Sequence, residues 1–138
     1  MQSVKTLFLP AVLVLLLITG CQKENSTTTS SDARAAFTGN WSVAETWVKY
    51  SYEARIAVDT NSKTGVLIYN FAGIGLSYLP AKALVSGNTI TLDPNEVIGN
   101  GLVVNGSGVL SGTSTINWTY TINDGADLKH VTSTFTRH

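Results

Sequence analysis

From Trp41 onward the apolar residues return at every second position, and that period decides the fold class. Tyr50, Tyr52, Ala54, Ile56 and Val58 alternate with Lys49, Ser51, Glu53, Arg55 and Asp59, and Ile116, Trp118, Tyr120 and Ile122 alternate with Asn117, Thr119 and Thr121. Successive side chains of a strand point to opposite faces, so each run has one face for a core and one for water. No window of similar length carries a helical stripe. Turn chemistry breaks the chain at short intervals, at Asn61-Ser62-Lys63, Gly87-Asn88, Gly112-Thr113 and Asn123-Asp124-Gly125, where Gly and Asn tolerate the positive φ that tight hairpins need. The spacing predicts about eight strands, near 38 to 48, 50 to 59, 64 to 71, 76 to 85, 88 to 93, 101 to 110, 113 to 123 and 127 to 137. Eight strands with short loops need roughly 96 residues, close to what lies beyond Ala36. Short sequential hairpins make neighbours antiparallel, and closure removes exposed edges. An all-β, antiparallel up-and-down β-barrel is therefore expected, with a β-sandwich as the alternative. The stretch from Gly73 to Pro80 suits a strand least, because Gly73, Gly75 and Pro80 all oppose one.

Composition narrows the function classes. The 138 residues carry nine Lys plus Arg and nine Asp plus Glu, which offers no clustered positive surface for nucleic acid. One cysteine, Cys21, makes neither an internal disulfide nor a cysteine-based zinc site. It stands at the end of a leader: Lys5 is a short positive start, Leu7 to Ile18 form an apolar run too short for a membrane span of about 20 residues, and small residues precede the cysteine.

Leu17-Ile18-Thr19-Gly20-Cys21 resembles the lipobox of bacterial lipoproteins. The resemblance implies a signal peptide over residues 1 to 20, cleavage before Cys21, and fatty acyl groups such as palmitate carried by that residue. Each buried CH₂ contributes about 0.8 kcal/mol, so several acyl chains hold a protein on a membrane. The implied address is the outer membrane, since no Asp follows the cysteine. Gln22-Lys23-Glu24-Asn25 further resembles an export tag for display on the cell surface in Gram-negative lipoproteins. Residues 21 to 35 have no apolar periodicity and are rich in Ser and Thr, so they read as a tether. Loss of Lys5 with the leader leaves eight basic against nine acidic side chains.

Phe37-Thr38-Gly39-Asn40-Trp41 resembles the Gly-x-Trp opening of lipocalins and their calycin relatives. The likeness to small lipocalin-like lipoproteins extends over residues 36 to 138, through Val85 to Ile90, Gly106 to Gly112 and the Thr-x-Thr ending. It implies that Trp41 closes one barrel end beneath a basic residue of the last strand. Arg137, sharing a face with Val131, Ser133 and Phe135, is the candidate.

A binding pocket and a filled core use the same aromatic residues, and Trp47, Tyr50, Tyr52, Trp118 and Tyr120 fit either role. Glu45 differs. On the first strand it shares the inward face with Trp41, Val43 and Trp47, and a buried carboxylate must find a donor or shift its pKa. It is either the polar handle of a small-molecule pocket or the partner of Arg55, Arg137 or Lys49, unless a bulge turns it outward. Ile74, Leu76, Tyr78 and Leu79 form an apolar segment that caps the barrel or docks a partner.

Catalytic groupings are missing. His130 falls on a polar face, His138 ends the chain, no serine sits in a nucleophile elbow, and Glu45, Glu53, Asp59, Asp93 and Glu96 are scattered. The expectation is a lipid-anchored, non-catalytic envelope protein without cofactor or metal. It binds a small apolar ligand or, with a filled barrel, a protein or glycan partner; the sequence leaves its oligomeric state open.

Overall fold

The computed structural model describes residues 31–138. The leader, Cys21 and the export-tag motif lie outside the described residues. Nine strands follow one another: β1 (Gly39–Glu45), β2 (Tyr52–Val58), β3 (Gly65–Tyr69), β4 (Ala81–Ser86), β5 (Thr89–Leu92), β6 (Glu96–Ile98), β7 (Leu102–Ser111), β8 (Thr115–Asn123) and β9 (Leu128–Arg137). All pairings are antiparallel, in the order β5-β4-β3-β2-β1-β9-β8-β7-β6. The lower half of β7 also pairs with β5, through Thr89↔Val109, Ile90↔Gly108 and Thr91↔Ser107, which closes the sheet. The result is a closed eight-stranded antiparallel barrel, with β6 extending the wall beside the upper half of β7. A sandwich is excluded by that closure.

The alternation seen in the sequence becomes the wall. Along β8, Ile116, Trp118, Tyr120 and Ile122 are buried while Asn117, Thr119 and Asn123 face solvent. An eight-stranded barrel is only wide enough for side chains to fill it, so large residues need small ones opposite or beside them. Gly106 and Gly108 of β7 lie in register with Tyr120 and Trp118. A methyl group at Gly108 would sit 2.7 Å from the Trp118 ring. These glycines make room for the two rings. Ala54, Ala81 and Ala83 keep β2 and β4 equally shallow, and all three are buried.

One end is closed by a polar clasp. The Arg137 guanidinium lies 4.3 Å over the Trp41 ring. It donates to the carbonyls of Thr38 (2.8 Å), Ala36 (2.5 Å) and Thr113 (3.2 Å). The Trp41 indole N–H donates to Phe37 O at 2.9 Å. Gly39 has φ of +127°, and a side chain there would press on Arg137 Nη1 at 3.1 Å, so the position two before Trp41 takes glycine for two reasons. The chain joins the domain at this end earlier than a tether reaching residue 35 implies. Arg34 lies in a short 3-10 turn (Ala33–Ala36), pairs with Asp32 at 2.6 Å and donates to Ser62 O at 2.6 Å.

Two boundaries depart from expectation for local reasons. β1 stops at Glu45 and β2 starts at Tyr52, so Tyr50 falls in the connecting loop and is 62% exposed rather than inward. β4 starts at Ala81 rather than 76, because the preceding segment turns through left-handed backbone at Asn70, Ala72, Gly73 and Gly75.

Candidate functional site

At the opposite end the barrel interior turns polar. Glu45 ends β1 on the inward side, in register with Ser133 of β9, which in turn faces Trp118 of β8. Tyr120, two positions along β8, donates its hydroxyl to Glu45 Oε2 at 2.6 Å. Tyr52 of β2 lies beside the same carboxylate, but its hydroxyl is not aligned for a full hydrogen bond. Arg55, one of the partners anticipated for Glu45, instead stacks on Tyr69 at 4.2 Å, and Arg137 is committed to the far end.

Four side-chain atoms here are buried and unpaired: Glu45 Oε1, Tyr52 OH, Trp118 Nε1 and Ser133 Oγ. Leaving a buried donor or acceptor without a partner costs about 1–3 kcal/mol, so four in an otherwise apolar core form an unusual concentration. Burial pushes the Glu45 carboxyl above its ordinary value, and the Tyr120 and Tyr52 hydroxyls pull it part of the way back. Both phenols are themselves raised, first by burial and then by the nearby carboxylate. The group is thus a carboxyl ringed by neutral donors and aromatic faces. Such a setting recognises a small molecule that is mostly apolar and carries a hydrogen-bonding group.

A cleft of about 160 Å³ at the end of β1 is lined by Ala44, Glu45, Val48, Lys49, Tyr50 and Ser51. Of the aromatic candidates, Tyr52, Trp118 and Tyr120 meet inside the barrel. Trp47 is half-buried at the mouth beneath Lys129, 5.1 Å from its ring, and Tyr50 stands at the rim. Ile74 packs on the core, while Leu76, Tyr78 and Leu79 of the β3–β4 connection are exposed. The other carboxylates serve the backbone or the surface: Glu96 accepts from Lys82 N–H at 3.0 Å, Asp59 from Asn61 N–H at 2.9 Å, and Glu53 meets His138 at 2.9 Å. A larger hollow of about 510 Å³ lies at the Arg137 end, walled by Ala35, Ala36, Leu110 and the β7–β8 turn. Three of the guanidinium's donors there are committed to the carbonyls of Thr113, Thr38 and Ala36, which gives Arg137 a structural role at that end.

Sequence reasoning did not single out Phe71 and Ser133. Phe71 enters the barrel from the β3–β4 connection, with its ring 4.7 Å from Tyr120, 5.2 Å from Trp118 and 6.3 Å from Phe135. It falls at the end of the strand predicted over 64 to 71, on the parity of Leu67 and Tyr69 rather than of the buried Val66 and Ile68, so the alternation did not mark it as interior. Ser133 was readable as a polar residue between the inward Val131 and Phe135.

No protein-family model matches the chain, and no curated protein is similar to it. Solved structures share its fold, two β-barrels among them. A structure of EF1p2_mFAP2b bound to DFHBI is 17% identical, with a TM-score of 0.53 over 78% of this chain and 100% of that one. A redesigned beta barrel is 15% identical, with a TM-score of 0.52 over 78% of this chain and 96% of that one. At such identity the likeness speaks to the β-barrel alone.

Proposed function

We propose that this chain is a lipid-anchored, non-catalytic protein of the bacterial outer membrane whose barrel binds a small, largely apolar molecule, with Glu45 as the polar handle. The observation that carries this reading is the buried, half-paired Glu45 carboxylate held by Tyr120 and flanked by Tyr52, on strands that also carry the unpaired polar atoms of Ser133 and Trp118. A packed structural core gains nothing from such a group, whereas a ligand that pairs those atoms recovers their desolvation cost on binding. The structure of EF1p2_mFAP2b with DFHBI bound supports a barrel of this kind as a container for a small molecule. The lipobox-like run ending at Cys21 supports the anchor, and the Gln22-Lys23-Glu24 start supports display on the cell surface.

The binding reading is tested by native mass spectrometry of the mature chain after incubation with cell-envelope extract. Wild type retains a small-molecule adduct and Glu45→Gln loses most of it. A bare barrel in both samples, or an adduct indifferent to Glu45, overturns the reading. The anchor is tested by fatty-acid labelling, which Cys21→Ala abolishes. A second reading, docking of a protein or glycan, draws on the exposed Tyr50, Leu76, Tyr78 and Leu79.

A further inference from the structure

We propose that Phe71 is a built-in plug standing where a ligand ring belongs, and that the ligand is a single aromatic ring bearing a hydroxyl or amino group that enters by displacing Phe71. This inference rests on the binding reading above and names its ligand class.

Three observations meet on this residue. First, Phe71 is not part of the barrel wall. It comes from the connection between β3 and β4 and inserts its ring among Trp118, Tyr120 and Phe135, where it is 1% exposed. Second, its backbone is held in a conformation that side chains resist. Asn70 has φ of +58° and Ala72 has φ of +56°. Asn70 is fitted to its place, since its side chain donates to Glu53 O at 2.7 Å and accepts from Gly75 N–H at 2.6 Å, and Asn tolerates the left-handed region. Ala72 has no such compensation, so the inserted state carries strain that is released when the turn swings out. The following residue, Gly73, lies against the Tyr52 ring, where an added methyl would stand 3.2 Å away. Third, a phenyl ring can pair none of the polar atoms at this end of the barrel. Trp118 Nε1, Tyr52 OH, Ser133 Oγ and Glu45 Oε1 stay unpaired while Phe71 is in place.

A ring of the same size with a polar substituent does what Phe71 does for the apolar walls and also answers those atoms. A hydroxyl both donates, toward Glu45 Oε1, and accepts, from the neighbouring Tyr52 O–H. A simple hydrocarbon ring offers neither, and an aliphatic alcohol lacks the aromatic ring that makes the edge-on contact with Trp118 and the tilted contact with Tyr120.

The test uses phenol and toluene as probes, titrated into the mature chain and followed by tryptophan fluorescence and by the NMR shifts of the Trp118 indole N–H. Phenol binds wild type and is preferred over toluene. Phe71→Ala removes the competitor and raises phenol affinity about tenfold or more, because the open form no longer competes with a plugged one. Ala72→Gly relaxes the left-handed residue, stabilises the plugged form, and so raises Tm while weakening phenol about fivefold. This second variant stands if Phe71→Ala does not fold. Phenol affinity unchanged or weakened in Phe71→Ala, or unchanged in Ala72→Gly, overturns the plug. Equal affinity of Phe71→Ala for toluene and phenol overturns the ligand class. Loss of the broader reading looks different: no envelope-derived adduct on wild type and no effect of Glu45→Gln. A ligand that needs Glu45 but ignores Phe71 and Ala72 defeats this proposal alone.

Discussion

At the scale of single residues, Glu45 couples the site to pH. Burial raises its carboxyl above the ordinary value, so the folded protein holds that proton more tightly than the unfolded chain does. The folded state therefore enjoys its full advantage below the ordinary carboxylate range and loses it as pH rises from there through the raised value. Glu45→Gln keeps an acceptor for Tyr120 and has no charge to bury. Its Tm relative to wild type is expected to climb as pH goes from about 4 to about 7, and a difference flat across that interval would refute the assignment. Gly108 makes a packing prediction of the same grain. A Cβ there meets both the Trp118 ring and Ile116 Cγ2 at 2.8 Å or closer, and neither side chain has free space to move into. Gly108→Ala should cost about 1–3 kcal/mol in chemical denaturation.

At the scale of elements, the turn between β8 and β9 holds itself together electrostatically. Asp124 accepts from the backbone N–H groups of Asp127 (2.8 Å) and Ala126 (3.0 Å), and Lys129 stands 3.4 Å away. Those backbone donors, more than the lysine, hold its carboxyl down at about 2. The turn's stabilisation is present above the ordinary value of 3.8 and is lost as pH falls toward about 2. NMR titration of the Asp124 carboxyl should show that low midpoint, and Lys129→Ala should move it only slightly. This hairpin was readable in advance because Asn123-Asp124-Gly125 is turn chemistry between two alternating runs. Most of the wall was readable for the same reason, since period-two alternation is a property of backbone geometry. What escaped were the places where the backbone leaves that period. Tyr50 continues the alternation of β2 on paper, yet its loop has already left the sheet, and no residue type between Thr46 and Ser51 announces that. Phe71 is hidden for a related reason: the predicted strand over 64 to 71 runs through it on the face of Leu67 and Tyr69, whereas β3 ends at Tyr69 and left-handed turns at Asn70 and Ala72 carry it inward. Glu45 was visible as an inward acid. Its partner Tyr120 was not, because a diagonal contact across two strands depends on register that the sequence does not state.

At the scale of the whole molecule, the two barrel ends do different work, and this separation is testable. The Arg137 end is a clasp: one guanidinium ties the last strand to Ala36 and Thr38 at the chain's entry and to Thr113 in the β7–β8 turn, while covering Trp41. The stacked cation alone contributes about 0.5–2 kcal/mol, and hydrogen bonds from a charged donor add about 1.5–3 kcal/mol where they are well formed. Arg137→Ala should therefore destabilise the domain by about 2–4 kcal/mol, a fall in Tm on the order of 10 °C or more for a domain of roughly 100 residues. Arg137→Lys keeps the charge but not the fan of donors, and should fall between the two. The Glu45 group is built from β1, β2, β8 and β9 at the other end and shares no hydrogen bond with the clasp. Under conditions where Arg137→Ala remains folded, its phenol affinity should match wild type. A loss of affinity as large as that in Ala72→Gly would mean that the ends are mechanically coupled, and that the clasp sets the shape of the mouth as well as the stability of the barrel.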